Sequence, residues 1–222
     1  MSLQTSMIHN LSHQNSVANH FLNQLRDVNV QNNMFLFRKN MERLGNIFAY
    51  EISKLLPYKE IETETPLGIA KTNVLDTRIV LCTILRAGLP LHNGILDFFD
   101  GAGNAFVAAY RKNHKDGTFE INLEYITCPD LNNAVLILSD PMLATGASVV
   151  KTLEYLKEYG NYAQLHIASI IASSYGVRQV SRLFPNAHLW IAAEDEELTA
   201  RSYIVPGLGD AGDLAYGRKL QE

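Results

Sequence analysis

Short runs of branched apolar residues recur from residue 78 onward, and they restrict the fold more than any other feature. Arg78–Leu85 reads RIVLCTIL, Asn104–Tyr110 NAFVAAY, Ala134–Leu138 AVLIL, Leu165–Ile171 LHIASII and His188–Ala193 HLWIAA. Each has the length of a strand and little polar alternation, so each reads as a strand covered on both faces. Between them the period lengthens. Val149, Val150, Leu153 and Leu156 share a helical face ended near Gly160, and Gly176–Phe184 is a second candidate helix, stopped by Pro185. Strands alternating with helices build right-handed βαβ units, so the fold class is α/β, a mostly parallel sheet flanked by helices. Upstream, Met34, Phe37, Met41, Leu44, Phe48, Ile52 and Leu55 predict an amphipathic helix over Gln31–Leu56, ended by Pro57 and packed on the sheet or on a partner subunit. Thr118–Tyr125 (TFEINLEY) does alternate. With Asn104–Tyr110, the polar loop Arg111–Gly117 and the Asp116-Gly117 turn signal, it predicts an antiparallel arm projecting from the sheet.

The 222 residues suit one domain with a real core. Within 1–222, residues 1–14 are rich in Ser, Asn, Gln and His and read as a flexible tail, 15–57 as N-terminal helices and 198–222 as a C-terminal hood. With 47% apolar and 19% charged residues, the chain is not dominated by disorder. The net charge of −4 disfavours polymeric nucleic acid as the main ligand but not a small anion held in a local pocket. Cys82 and Cys128 are too few for a disulfide framework. No apolar run approaches a membrane span, and residues 1–20 lack the charged start and apolar stretch of a secretory signal. A cytoplasmic protein is expected, without a membrane partner. His9 and His13 have helical metal-ligand spacing but no obvious third ligand.

The segment with most chemistry is Leu136–Ser148, LILSDPMLATGAS. An apolar strand ends at Asp140, a loop with Thr145, Gly146 and Ser148 follows, and a helix opens. Loop amides and a helix N-terminus at the carboxyl edge of a parallel sheet form a cradle for phosphate. Thr145 and Ser148 add hydroxyls, and Gly146 lets the backbone approach a ligand. An acceptor beside such a cradle, here Asp140, suits a sugar phosphate. An Asp-capped helix start without a ligand is the plainer alternative. Arg86 and Arg111 each follow a strand at the same edge, where a guanidinium can grip a diphosphate through paired donors. Lys112, His114 and Lys115 extend that positive stretch in what reads as a solvated turn.

Gly207-Leu208-Gly209-Asp210-Ala211-Gly212 fits the GxGxxG dinucleotide pattern, but too little chain follows for a βαβ unit. The glycines instead give a tight loop with exposed amides and carbonyls. Glu194–Glu197 (EDEE) reads as a solvated charge run rather than a metal cluster. Ser148, His114 and Asp140 make no credible hydrolase triad.

The loop Asp140-Pro141-Met142-Leu143-Ala144-Thr145-Gly146 resembles the phosphoribosyl-diphosphate loop of the type I phosphoribosyltransferases, in the form found in uracil phosphoribosyltransferases. Leu85-Arg86-Ala87-Gly88-Leu89 is similar to the family's diphosphate loop, Tyr110-Arg111 to its second arginine element, and Tyr203–Asp213 (YIVPGLGDAGD) to its uracil-binding signature. The likeness runs from about Asn15 to Lys219. It implies transfer of a phosphoribosyl group from 5-phospho-α-D-ribose 1-diphosphate to uracil, giving UMP and diphosphate. It assigns the diphosphate donor to Arg86, Arg111, Asp140, Pro141, Met142, Leu143, Ala144, Thr145, Gly146, Ala147, Ser148 and Asp210, and uracil to Ile204, Gly209, Asp210 and Ala211. Arg86, Arg111 and Asp140 are the expected catalytic groups, and Mg²⁺ is carried on the diphosphate rather than by a protein site. A homo-oligomer is expected. Some members are activated by GTP, and no local motif decides this here. The chain departs from the family at Ala147, where the loop usually carries a second Gly, and at Leu89-Pro90-Leu91-His92. If position 147 needs positive φ, Ala147 is strained; if it already lies in the helix, Ala is harmless, and the second is favoured. Alternatives on the same fold are a pyrimidine-responsive RNA-binding regulator and a weakly active paralogue.

Overall fold

A computed structural model describes residues 7–113 and 119–220, with the backbone alone for 109–113 and 119–123. In chain order the elements are β1 (Met7–Asn10), α1 (Val17–Arg26), α2 (Met34–Ser53), β2 (Tyr58–Thr65), β3 (Gly68–Leu75), β4 (Ile79–Leu85), α3 (Leu89–Leu96), β5 (Gly103–Asn113), β6 (Phe119–Thr127), β7 (Val135–Ser139), β8 (Met142–Leu143), α4 (Ala147–Leu156), β9 (Gln164–Ser173), α5 (Ser174–Leu183), β10 (His188–Asp195), β11 (Glu197–Leu198), β12 (Ile204–Val205) and α6 (Ala211–Tyr216). The main sheet runs β1-β10-β9-β7-β4-β5-β6, with β8 added on β9. Its pairings are parallel except β5–β6, which form the antiparallel arm. The Asp116-Gly117 turn and His114 lie outside the described residues.

The runs on β4, β7, β9 and β10 are buried on both faces, as their lack of alternation predicts, whereas on β5 buried Ala105 and Val107 alternate with half-buried Asn104, Phe106 and Ala108. Successive side chains of a strand point to opposite sides. Ile79 and Leu81 of β4, Ile137 of β7 and Trp190 of β10 enter a core shared with α1, α2 and α3. Val80, Cys82, Leu136, Leu138, Leu189 and Ile191 enter a second core under α4 and α5. Helix α2 starts three residues later and ends three earlier than its periodicity suggests. Asn33 caps it, its side chain accepting from Leu36 N at 3.1 Å. Its seam Phe37, Met41, Leu44, Phe48 and Ile52 is fully enclosed within this chain, on the sheet and α3. The α2–α3 contact is backbone-close: a Cβ on Gly94 would collide with the Glu42 carbonyl.

Three expectations change. Residues 7–13 do not fray: β1 pairs in parallel with β10 and a 3₁₀ turn, Leu11–His13, follows, while residues 1–6 lie outside the described residues. The stabilising feature is aromatic. His9 stacks on Trp190 with centroids 3.9 Å apart, and its Nε2 lies 3.1 Å from His188 Nδ1. Trp190 Nε1 donates to His166 Nδ1 at 3.0 Å, which places the His166 proton on Nε2. Burial first, then His188 and His9, push the His166 imidazole down to about 3, and burial also lowers His9 and His188. Second, β2 and β3 form a hairpin that no apolar pattern announces, exposed along nearly its whole length. Third, the acidic run Glu194–Glu197 is not wholly solvated, because Asp195 is buried at the end of β10.

Candidate active site

The connection from β4 leads to β5 on one side, whereas β7 leads to β9 and β10 on the other, so strand order reverses between β4 and β7. A crevice opens at the carboxyl ends of the strands at such a point. Arg86 leaves β4 there through a cis Leu85-Arg86 peptide, and Asp140 leaves β7 beside it. The two turns are drawn together by Gly88, where a Cβ would strike Thr83 Oγ1 and the Ser139 carbonyl.

The loop after β7 is held from below. The Pro141 carbonyl accepts from Ile170 N at 3.1 Å and Ile171 N at 3.0 Å, and Leu143 N donates to Ser169 Oγ at 3.1 Å. Ser173 Oγ donates to the Ala144 carbonyl. These bonds fix Met142, Leu143 and Ala144 against β9 and leave the following residues to turn upward. Gly146 takes φ +80°, a left-handed conformation, as the cap of α4. Ala147 is the first residue of α4, so it lies within the helix and its Cβ meets no strain. Thr145 Oγ1 accepts from Ala147 N at 3.3 Å, and the start of α4 presents N–H groups that no earlier turn of helix uses. Thr145, Gly146, Ala147 and Ser148 thus stand together at the start of α4, the candidate cradle for an anion. Asp140 is half-buried. Burial pushes its carboxyl up to about 7, opposed by the Met142 N–H that approaches Oδ1 at 3.4 Å.

The C-terminal hood closes the other side. After a cis Val205-Pro206 bond, Gly207 (φ +58°) and Gly209 (φ +95°) fold the chain back, and Asp210 caps α6 by accepting from Asp213 N at 2.9 Å. A cavity of about 200 Å³ lies between Ala87, Met142 and Ala144 below and Ser202, Tyr203, Ile204, Gly209, Asp210, Ala211 and Gly212 above. The two-residue β12 and six-residue α6 flanking the glycine loop are no dinucleotide-binding unit.

The sequence-predicted residues thus fall in three neighbouring places. Ile204, Gly209, Asp210 and Ala211 wall the cavity together with Met142 and Ala144 of the loop assigned to the phosphoribosyl donor. Thr145 to Ser148 form the candidate cradle. Arg86 stands at the edge, half-exposed, with Nη2 donating to the Gly217 carbonyl at 3.3 Å and 3.5 Å from Asp213 Oδ1. Arg111 sits on β5, and its side chain lies outside the described residues.

Sequence reasoning missed the groups that hold the hood. Arg26 of α1 meets Asp195 with both guanidinium branches, each at 2.8 Å. Arg26 Nη1 also donates to the Gly207 carbonyl at 3.0 Å, and Gly207 N donates to Asp195 Oδ2 at 2.9 Å. Both main-chain groups of Gly207 are so clamped by one ion pair. The available signal was the strand HLWIAA, which continues into Glu194-Asp195. Asp213 falls inside the Tyr203–Asp213 signature and Lys219 beyond it, and neither was assigned a role from the sequence.

Comparison with known proteins agrees with this geometry. A curated uracil phosphoribosyltransferase of Porphyromonas gingivalis is 50% identical over 211 residues, covering 95% of this chain and 98% of the relative. A solved protein structure from Aquifex aeolicus superposes with a TM-score of 0.87 at 30% identity, covering 96% of this chain and 100% of the other. An adenine phosphoribosyltransferase of Trypanosoma brucei, at 11% identity, shares the fold with a TM-score of 0.54 over 85% of this chain and 84% of its own. The uracil phosphoribosyltransferase family profile matches residues 12–218, and the chain belongs to that family.

Proposed function

We propose that the chain transfers the phosphoribosyl group of 5-phospho-α-D-ribose 1-diphosphate to uracil, giving UMP and diphosphate in pyrimidine salvage. The observation that carries this reading is the shared cavity. Met142 and Ala144 of the loop after β7 line it together with Gly209–Gly212 of the glycine loop, which supports a base and a ribose phosphate being brought together there. The Gly209–Ala211 backbone supplies the directional groups that select uracil's carbonyls and N–H edge, and the cradle at Thr145–Ser148 takes the 5′-phosphate.

In the reaction the bond from ribose C1 to the diphosphate breaks, N1 of uracil bonds to C1, and the N1 proton is lost. The sugar passes through an electron-poor, oxocarbenium-like stage, so positioning and stabilisation of the departing diphosphate supply the rate. Arg86 and Arg111 take that charge. Asp140 holds the ribose hydroxyls and faces the positive ring, a role that needs its ionised form. Mg²⁺ keeps several waters and is held by one or two carboxylates together with substrate phosphates. Here it would arrive on the diphosphate rather than at a site built by the protein. Bound to the diphosphate, the ion would neutralise charge on the leaving group.

Two further features belong to the reading. The β2–β3 hairpin leaves Ile61, Leu67 and Ile69 exposed, and a two-stranded hairpin is marginal alone, which supports a homo-oligomer in which a second copy covers it. Among the described residues no helix is long and apolar enough to cross a membrane. Cys82 and Cys128 are free thiols, in keeping with a cytoplasmic setting. The test is incubation with labelled uracil, the phosphoribosyl donor and Mg²⁺, with cytosine as the control base and GTP as a variable. UMP without CMP is expected. No UMP, together with tight RNA binding, would replace this reading with the regulator.

A further inference from the structure

Asp213 Oδ1 is enclosed and accepts no hydrogen bond from the described residues. It stands between two cations, 3.5 Å from Arg86 Nη2 and 4.0 Å from Lys219 Nζ. Lys219 Nζ in turn reaches Asp210 Oδ2 at 3.3 Å. Arg86 is also held by the Gly217 carbonyl at 3.3 Å. The arginine assigned to the diphosphate is thus engaged by the C-terminal segment. A carboxylate oxygen shielded from water without a donor is costly unless a cation compensates it. If Arg86 turns to a diphosphate, Asp213 loses its nearer cation while a polyanion arrives beside Asp210.

We propose that Asp213 and Lys219 are positioning residues that work by exchange: Asp213 competes with the diphosphate for Arg86, and Lys219 takes Asp213 over when Arg86 turns to the diphosphate. Lys219 Nζ stands 4.0 Å from the same oxygen, so a small side-chain movement completes the hand-over without disturbing the α6 cap, which uses Asp210 Oδ1. It also offsets the repulsion between Asp210 and the incoming phosphates. This rests on the assignment of Arg86 to the diphosphate under the proposed function. The exchange adds a second charge balance to that site: removing Lys219 strengthens the competition of Asp213 for Arg86, and removing the Asp213 charge relieves it.

The experiment is titration of the full chain with magnesium diphosphate, alongside steady-state kinetics, for the parent chain, Lys219→Gln, Asp213→Asn and the double variant, with thermal melts to confirm folding. Lys219→Gln is expected to weaken diphosphate binding about tenfold, the size of a typical coupling between sites. The KM for the phosphoribosyl donor should rise to match, with kcat changed less than about twofold. Adding Asp213→Asn to Lys219→Gln is expected to recover most of that loss, a non-additivity that a merely structural lysine would not show. Equal binding by Lys219→Gln and the parent chain would overturn the proposal. So would a double variant no tighter than Lys219→Gln, which would make Lys219 a direct phosphate ligand. Failure of the parent chain itself to make UMP would instead strike the proposed function, so the two failures are separable.

Discussion

Replacing Arg26 with methionine is expected to loosen the hood before it unfolds the chain. The substitution keeps an unbranched stem but removes both 2.8 Å contacts to Asp195 and the 3.0 Å bond to the Gly207 carbonyl. Asp195 is only 7% exposed, so its carboxylate is left buried with Gly207 N as its remaining donor in the clamp. Breaking a fully buried pair costs about 3–5 kcal/mol. The Arg26 side chain is 24% exposed, and water reaching the carboxylate from that side reduces the figure to about 2–3 kcal/mol. For a chain of this size that is a fall in Tm of about 4–12 °C. The Gly207 carbonyl loses its tie at the same time, and the walls of the base cavity at Ile204 and Gly209–Ala211 follow that residue. The KM for uracil should therefore rise about tenfold while that for the phosphoribosyl donor moves much less. Combining Arg26→Met with Asp195→Asn removes the stranded charge, so much of the lost Tm should return while the uracil KM stays high. Scanning calorimetry and steady-state kinetics on the two variants separate these effects. A double variant no more stable than Arg26→Met, or an unchanged uracil KM in both, would refute the clamp.

The carboxyl of Asp140, pushed up to about 7 by burial, is fully ionised only above neutrality. In the free enzyme kcat/KM for the phosphoribosyl donor should fall about tenfold per pH unit on the acid side of that value, and Asp140→Asn should be slow and lack the limb; a limb retained in Asp140→Asn would point to another group. Ala147→Gly restores the residue usual in this family but places Gly in the first turn of α4. A loss of about 0.5–1 kcal/mol in thermal melts is expected, with no gain in turnover, and a more stable variant would show that position 147 is strained. His166 has a folded pKa of about 3, below its unfolded 6.5, so the denatured chain takes up the proton first as the pH falls. Its contribution is intact above about 6.5 and is lost progressively toward 3, so Tm should decline across that window and decline less steeply in His166→Asn, which keeps an acceptor for Trp190 Nε1.

Strands β4, β7, β9 and β10 were legible because burial on both faces leaves only apolar residues acceptable along each run. The phosphate loop was legible because its chemistry is contiguous: Asp140, Thr145, Gly146 and Ser148 lie within one turn between strand and helix. The β2–β3 hairpin was not, since YKEIETET and GIAKTNVL have solvent on both faces and no side must be apolar. Arg26 and Asp195 were silent for another reason. Each looks like an ordinary surface charge in its own segment, and only the closure of α1 against β10 brings them within 2.8 Å. Asp213 lies inside the Tyr203–Asp213 signature, yet nothing in the signature says that its carboxylate is poised between two cations.

The pairing of Met7–Asn10 with His188–Ile191 has a consequence for how the chain is made. Of the described strands, β1 comes first in the chain, yet its described sheet neighbour, β10, comes after β2 to β9. During translation β1 must wait unpaired until β10 emerges, and closing so long a loop is slow compared with hairpin formation. The core around β4, β7 and β9 can form earlier, from neighbouring segments. Docking of β1, with the His9–Trp190 stack, is then the step that completes this edge of the sheet, and a nascent chain arrested before residue 188 would present β1 to chaperones or proteases rather than to its own sheet.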